Sequence, residues 1–197
     1  MRLITLQHKN VYETLIKDKI YKCTYLSEWH KESPKSYGIL SKRLGITDGT
    51  YPVFAWANVI GLPIKMNTET LTRIYEMVVL DLPNYYAFEL EVPDNLVDIQ
   101  GFYAFASAKA EEYEEEIEPS EEKFITTYED SNEELQATIP YIKLDWVKNV
   151  CTLTQEKYTE KIVTSEVYNK EALAKYNIGE VIYSDRVRVK PTKMDIF

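Results

Sequence analysis

The chain has 197 residues, of which 45% are apolar and 13% aromatic, and a formal net charge of −9. That much apolar surface supports a packed core and excludes wholesale disorder, and no run approaches the roughly 20 apolar residues that cross a bilayer. The opening MRLITLQ turns polar too early for a secretory signal. Two cysteines, Cys23 and Cys151, make no disulfide framework, so a reducing cytoplasm is the expected compartment.

Leu3–Gln7 reads as a short strand, with Ile4 and Leu6 on one face and Leu3, Thr5 and Gln7 on the other. If the first face is buried, Thr5 and Gln7 point toward a groove. A helix follows, with Asn10 as N-cap, Glu13 at the capping-box position, and Val11, Tyr12, Leu15, Ile16 and Ile20 as its stripe. Pro34 divides residues 26–44, so a helix is expected from about Ser36 to Leu44. Gly45 and Asp48-Gly49 close that segment. Tyr51-Pro-Val-Phe-Ala-Trp-Ala57 is strand-like, and Pro52 places it at a strand start or a sheet edge.

Thr68–Leu80 has helical spacing, with Thr68 as cap. Tyr85–Val92 alternates most clearly as a strand and ends at Pro93-Asp94-Asn95. Gln100–Tyr113 reads as a helix running into an acidic tract. Glu134–Ile142 reads as a strand interrupted by Pro140, and Asp145–Leu153 as a helical turn or a further strand. Beyond Thr154, a short strand at Ile162-Val163, a helix over Asn169–Tyr176 and a strand over Glu180–Lys190 are expected. These elements divide the chain into a main domain, 1–153, and a strand-helix-strand extension, 154–197. The extension is too small to bury a core of its own, so it should pack on the same domain.

The charge is concentrated. Residues 109–134 hold twelve acids against Lys109 and Lys123, leaving 20 acids and 21 bases elsewhere. A near-neutral body with one acidic segment does not suit a general nucleic-acid binder, which needs a basic face. The run Glu111-Glu-Tyr-Glu-Glu-Glu116 is either a solvated helix end or a lure for a basic protein partner. Arg186, Arg188, Lys190 and Lys193 form a small basic cluster alternating along one strand, which offers a third reading as the groove of an RNA- or DNA-processing fold; otherwise nucleic acid is expected at most as a modified substrate.

Several chemistries lack their motifs. The six glycines are scattered and form no phosphate loop, and there is no Cys-x-x-Cys pair. His8 and His30 have no third ligand at a diagnostic spacing, so no metal is expected. No Gly-x-Ser-x-Gly elbow occurs.

Four segments occur together in a recognisable order: Leu3-Ile-Thr-Leu-Gln7, Tyr51-Pro-Val-Phe-Ala-Trp56, Phe88-Glu-Leu-Glu-Val-Pro93 with the helix near Phe102, and Leu135-Gln-Ala-Thr-Ile-Pro-Tyr141 with Trp146-Val147. Over residues 1–150 the chain resembles a bacterial and phage family known only as a domain of unknown function, number 3841. That label implies no activity. More distantly, the layout is similar to the ADP-ribosyltransferase fold. That resemblance implies an α+β domain with a mixed, mostly antiparallel curved sheet in two packed halves around a cleft, with helices in the connections. It also implies NAD as cofactor. By the same resemblance Thr5 and Gln7 would hold the ribose or amide, and Tyr51 or Trp56 would stack on nicotinamide. Gln136, or its rival Glu180, would stand where such enzymes place the catalytic carboxylate. A glutamine cannot supply the charge that stabilises an oxocarbenium-like sugar, so three expectations stand together: Glu180 is the active residue, or the site binds without turnover, or the resemblance in fold does not hold. The alternative reading is a non-catalytic acidic interaction protein of a phage or mobile element that engages a host protein through residues 109–134.

Overall fold

A computed structural model of the protein describes residues 1–25, 27–59, 62, 64–78, 82–124, 134–162 and 182–195. The elements are β1 (Arg2–His8), α1 (Lys9–Asp18), β2 (Ile20–Tyr21), α2 (Glu28–Glu32), α3 (Pro34–Arg43), β3 (Val53–Asn58), α4 (Thr68–Val78), β4 (Tyr85–Glu91), β5 (Asp98–Gly101), α5 (Phe102–Glu114), β6 (Leu135–Ile139), β7 (Ile142–Lys143), β8 (Val147–Ile162) and β9 (Ile182–Lys193). Seven strands form one sheet in the order β5-β6-β3-β1-β4-β8-β9, and β2 pairs with β7 in a small separate ribbon. Every pairing between named strands is antiparallel.

The chain is therefore α+β, with a mostly antiparallel sheet. The expected two packed halves are replaced by one continuous sheet and a ribbon. The reason is β1, which joins β3 on one side and β4 on the other and so unites the two sets of strands. Both faces of β1 are covered: Leu3, Ile4 and Thr5 are all buried. The face of Leu3, Phe88, Leu90 and Ala137 packs against Val11 and Leu15 of α1 and against Ile142 and Trp146. The opposite face, with Ile4, Ala87, Trp56 and Cys151, packs against Leu71 and Ile74 of α4. Phe54 on that second face meets Tyr37 and Leu40 of α3 and Phe105 of α5. Each large apolar side chain buried in these layers contributes about 1.5–3 kcal/mol of transfer free energy.

Local departures from expectation have local causes. The cap of α1 is His8, whose Nδ1 accepts from the Asn10 amide, so the helix begins one residue before Asn10. Asn67 rather than Thr68 caps α4, its Oδ1 accepting from the Thr70 amide at 2.9 Å. Pro34 divides the short α2 from α3 as expected, and α3 begins at Pro34 itself, two residues before Ser36, because the first turn needs no donor there. Gln100 belongs to β5, which pairs with β6 and precedes α5.

β8 runs without a break through residues 153 and 154, and β9 pairs with it from Cys151↔Lys193 to Ile162↔Ile182. β9 is thus a strand of the main sheet, and Val189 lies in the α4-side core. The expected helix at 169–176 lies outside the described residues. No helix among those described is long and apolar enough to cross a membrane.

One ion pair ties α4 to the start of β6. The buried carboxylate of Glu134 accepts from Arg73 Nε at 3.0 Å and Nη2 at 2.7 Å, and the Glu134 carbonyl accepts from the Phe102 amide. Removing the guanidinium leaves a buried carboxylate uncompensated. Arg73→Met should therefore lower stability by about 3 kcal/mol in urea denaturation at neutral pH. An unchanged midpoint would show that the pair is idle.

Candidate functional site

β1 and β3 share a single register pair among the described residues, Ile4↔Trp56, whereas β1 and β4 share seven. Beyond Ile4 the seam is bridged by side chains. The Thr5 hydroxyl donates to the Phe54 carbonyl at 2.6 Å, and Gln7 Nε2 donates to the Thr5 hydroxyl at 2.7 Å. A hollow of about 580 Å³ opens at this seam, lined among others by Gln7, Tyr21, Cys23, His30 and Tyr85.

His30 is the most distinctive group in this seam hollow. It is only 8% exposed, Ser27 Oγ lies 2.6 Å from its Nδ1, and its Nε2 has no hydrogen-bond partner. Burial, with a smaller effect from Lys109, lowers its pKa from 6.5 to about 4, so the ring is neutral at physiological pH. Its ring stacks on Tyr37 at 3.7 Å and meets Tyr51 edge-on at 5.2 Å. Burial, and then the neighbouring Cys23, raise the pKa of Tyr21, which keeps its hydroxyl protonated.

A second hollow, of about 630 Å³, lies on the helix side, between α5 and the ends of α2 and α4. Its lining includes Tyr37, Phe54, Phe102, Phe105, Lys109 and Gln136. Gln136 is 8% exposed and its Oε1 has no partner. Phe54 lines both hollows. The stacked pair of His30, in the first, and Tyr37, in the second, forms part of the wall between them.

The residues singled out from the sequence are divided by this arrangement. Thr5 and Gln7 lie on the α1 side of the sheet. Trp56 lies on the other face, since it pairs with Ile4 and with Gln136. Trp56 is 4% exposed and covered by Phe102 at 5.1 Å, so it is a packing residue rather than a stacking platform. Thr5 is buried and holds the seam, Gln7 lines the hollow, and Tyr51 stands behind His30. Gln136 therefore does not converge with Gln7, and Glu180 lies outside the described residues. Sequence reasoning missed His30 and Lys109, because neither carries a motif; the signals were positional, His30 three residues after Ser27 and Lys109 on the aromatic face of α5.

The acidic segment is partly internal. Glu112 accepts from the Lys35 and Ser36 amides and from the Ser36 hydroxyl, so its carboxylate caps the N-terminus of α3. Glu118 pairs with Lys35 at 3.3 Å and Glu121 with Lys42 at 2.6 Å. The basic residues of β9 also have partners: Lys190 pairs with Glu156 at 2.7 Å, and Arg188 lies over the Tyr158 ring at 4.1 Å. Among the described residues no group of three or more His, Cys, Asp or Glu is placed to hold a metal.

Comparisons with protein families, with curated proteins and with solved structures gave no match.

His30 supplies a test of this geometry. Its folded pKa lies below its ordinary value, so the unfolded chain takes up that proton first as pH falls. Its contribution is therefore complete above pH 6.5 and is lost between 6.5 and about 4. In urea titrations the drop in stability from pH 7 to pH 4.5 should be smaller in His30→Phe than in the parent protein. Equal drops would place the imidazole in a solvated setting.

Proposed function

We propose that the protein binds a nicotinamide dinucleotide or a fragment of one in the seam hollow, as a non-transferring relative of the ADP-ribosyltransferase layout. The observation that carries this reading is the pairing of two polar groups on that hollow. Gln7 commits its amide nitrogen to Thr5, leaving the carbonyl oxygen as an acceptor. His30 is nine-tenths buried with Nε2 unpartnered. A carboxamide-bearing ring can donate to the first and engage the second, while the Tyr21 and Tyr85 side chains supply flat apolar surface.

A hollow of about 580 Å³ is within the range that small-molecule sites occupy. Turnover is a different matter. Stabilising a developing oxocarbenium ion requires negative charge beside the sugar. Gln7, Thr5 and neutral His30 provide none, and Gln136 is both uncharged and on the opposite face of the sheet.

Calorimetric titration with NAD, ADP-ribose and nicotinamide tests the reading. NAD should bind, Gln7→Ala should weaken it about tenfold through the lost hydrogen bond, and no free nicotinamide should accumulate. Absence of heat with all three ligands, or equal affinity in the variant, would dismiss it.

A second reading, capture of a basic protein by the acidic segment, is favoured by one feature. Tyr113 and Ile117 stand 59% and 43% exposed among Glu114, Glu115, Glu116 and Glu118, an apolar-acidic surface suited to a Lys- or Arg-rich peptide. Replacing Glu114, Glu115 and Glu116 with Ser should weaken binding of such a peptide and flatten its salt dependence. Glu112 must stay intact, because its loss releases the α3 cap at a cost of about 1–2 kcal/mol. Peptide binding unaffected by the triple substitution would end this reading.

A further inference from the structure

The helix-side hollow has a chemistry of its own. Gln136 reaches it from the sheet, under an apolar helix face, and behind Gln136 lies a block of buried polar side chains. On this side of β5 and β6, Gln100 faces Gln136 and Asp98 faces Thr138 in register. Gln136 Oε1, both polar atoms of the Gln100 amide, Asp98 Oδ2 and Thr138 Oγ1 are buried without partners. Native proteins rarely leave such groups unpaired, since each costs about 1–3 kcal/mol. Asp98 has some compensation from Arg43 at 2.5 Å. Gln136 is the member of this block that reaches the hollow.

The walls narrow the ligand by charge. Lys109 Nζ lies 5.1 Å from the centre of the Phe105 ring and 5.9 Å from that of Tyr37, so a cation placed against those rings meets an amine already there. Glu32 and Glu114 line the same hollow, so an anion meets two carboxylates. A neutral ligand escapes both penalties. The rings of Phe54, Phe102 and Phe105 favour a flat one. The primary amide of Gln136 presents an acceptor beside a donor, and it is matched by a ring edge with an N–H donor beside an acceptor. Adenine shows that pair at N6 and N7, and glutamine recognises it in two-point fashion.

We propose that the helix-side hollow is a purine site, in which Gln136 takes the N6–H and N7 edge of an adenine base or nucleoside and the aromatic side chains hold its faces. Two carboxylates, Glu32 and Glu114, against one amine, Lys109, leave the lining net negative, which disfavours a phosphate. This site is separate from the seam hollow, and its assignment does not depend on that reading.

Calorimetry on the full chain tests it with adenosine, 7-deazaadenosine, AMP and nicotinamide. Adenosine should bind. 7-Deazaadenosine, which lacks the N7 acceptor, should bind about tenfold or more weakly, and AMP should bind more weakly than adenosine. Gln136→Leu keeps the side-chain bulk while removing the amide, and should abolish adenosine binding with the thermal midpoint retained. If that variant fails to fold, the 7-deazaadenosine comparison on the unaltered protein decides alone. Saturating nicotinamide should leave adenosine affinity unchanged, which separates this result from any failure in the seam hollow. Equal binding of adenosine and its 7-deaza analogue, no adenosine binding, or competition between adenosine and nicotinamide would each overturn the assignment.

Discussion

The structure depends on β1 burying both of its faces while pairing with β3 at only one position among the described residues. A strand so placed must be apolar on both sides, yet its second half has no continuous ladder to one neighbour. Thr5 resolves the conflict. Its hydroxyl takes the Phe54 carbonyl, and Gln7 completes the bridge. The polarity of β1 is thus a consequence of a parted sheet, and the parting leaves the hollow that Gln7 lines. Fold and candidate site arise from the same local shortage of backbone hydrogen bonds.

The partition between the hollows links their electrostatics. Lys109 belongs to the helix-side hollow but lowers the pKa of His30, which lines the other. Burial also lowers the pKa of Lys109, with Glu32 acting in the opposite sense, and burial raises that of Tyr37. Desolvation therefore pushes His30, Tyr37 and Lys109 each toward its neutral form, with Glu32 opposing it at Lys109. Such an interior favours uncharged, hydrogen-bonding groups in direct contact with the stacked pair.

Much of the architecture was legible in the sequence. The alternation in residues 85–92, the helical spacing of 68–78 and the short strand at residues 3–7 each follow from period alone, and each lies close to its expected bounds. What was not legible depended on contacts distant in sequence. Gln100 reads as the start of a helix, but its pairing with Gln136 across the gap to β6 makes it a strand residue. Glu112 reads as one of a solvated acidic run, but the free amides of α3 fall beneath it. The candidate site was half legible. Thr5 and Gln7 stand out as polar residues in an apolar strand. That Trp56 and Gln136 would face away from them follows only from the register Ile4↔Trp56↔Gln136, which no local pattern encodes.

Among the described residues β9, paired with β8, is the terminal strand at one end of the sheet. An open strand rim is a template on which a second molecule could add its own strand, but on β9 the Val189 amide is already taken by the Thr72 hydroxyl of α4. Pro191 removes a donor from that rim, and Arg186, Arg188, Lys190 and Lys193 would bring like charges together in any stack of copies. The alternating basic residues of β9 thus fit the pattern of a guarded strand edge, where like charge opposes edge-to-edge pairing.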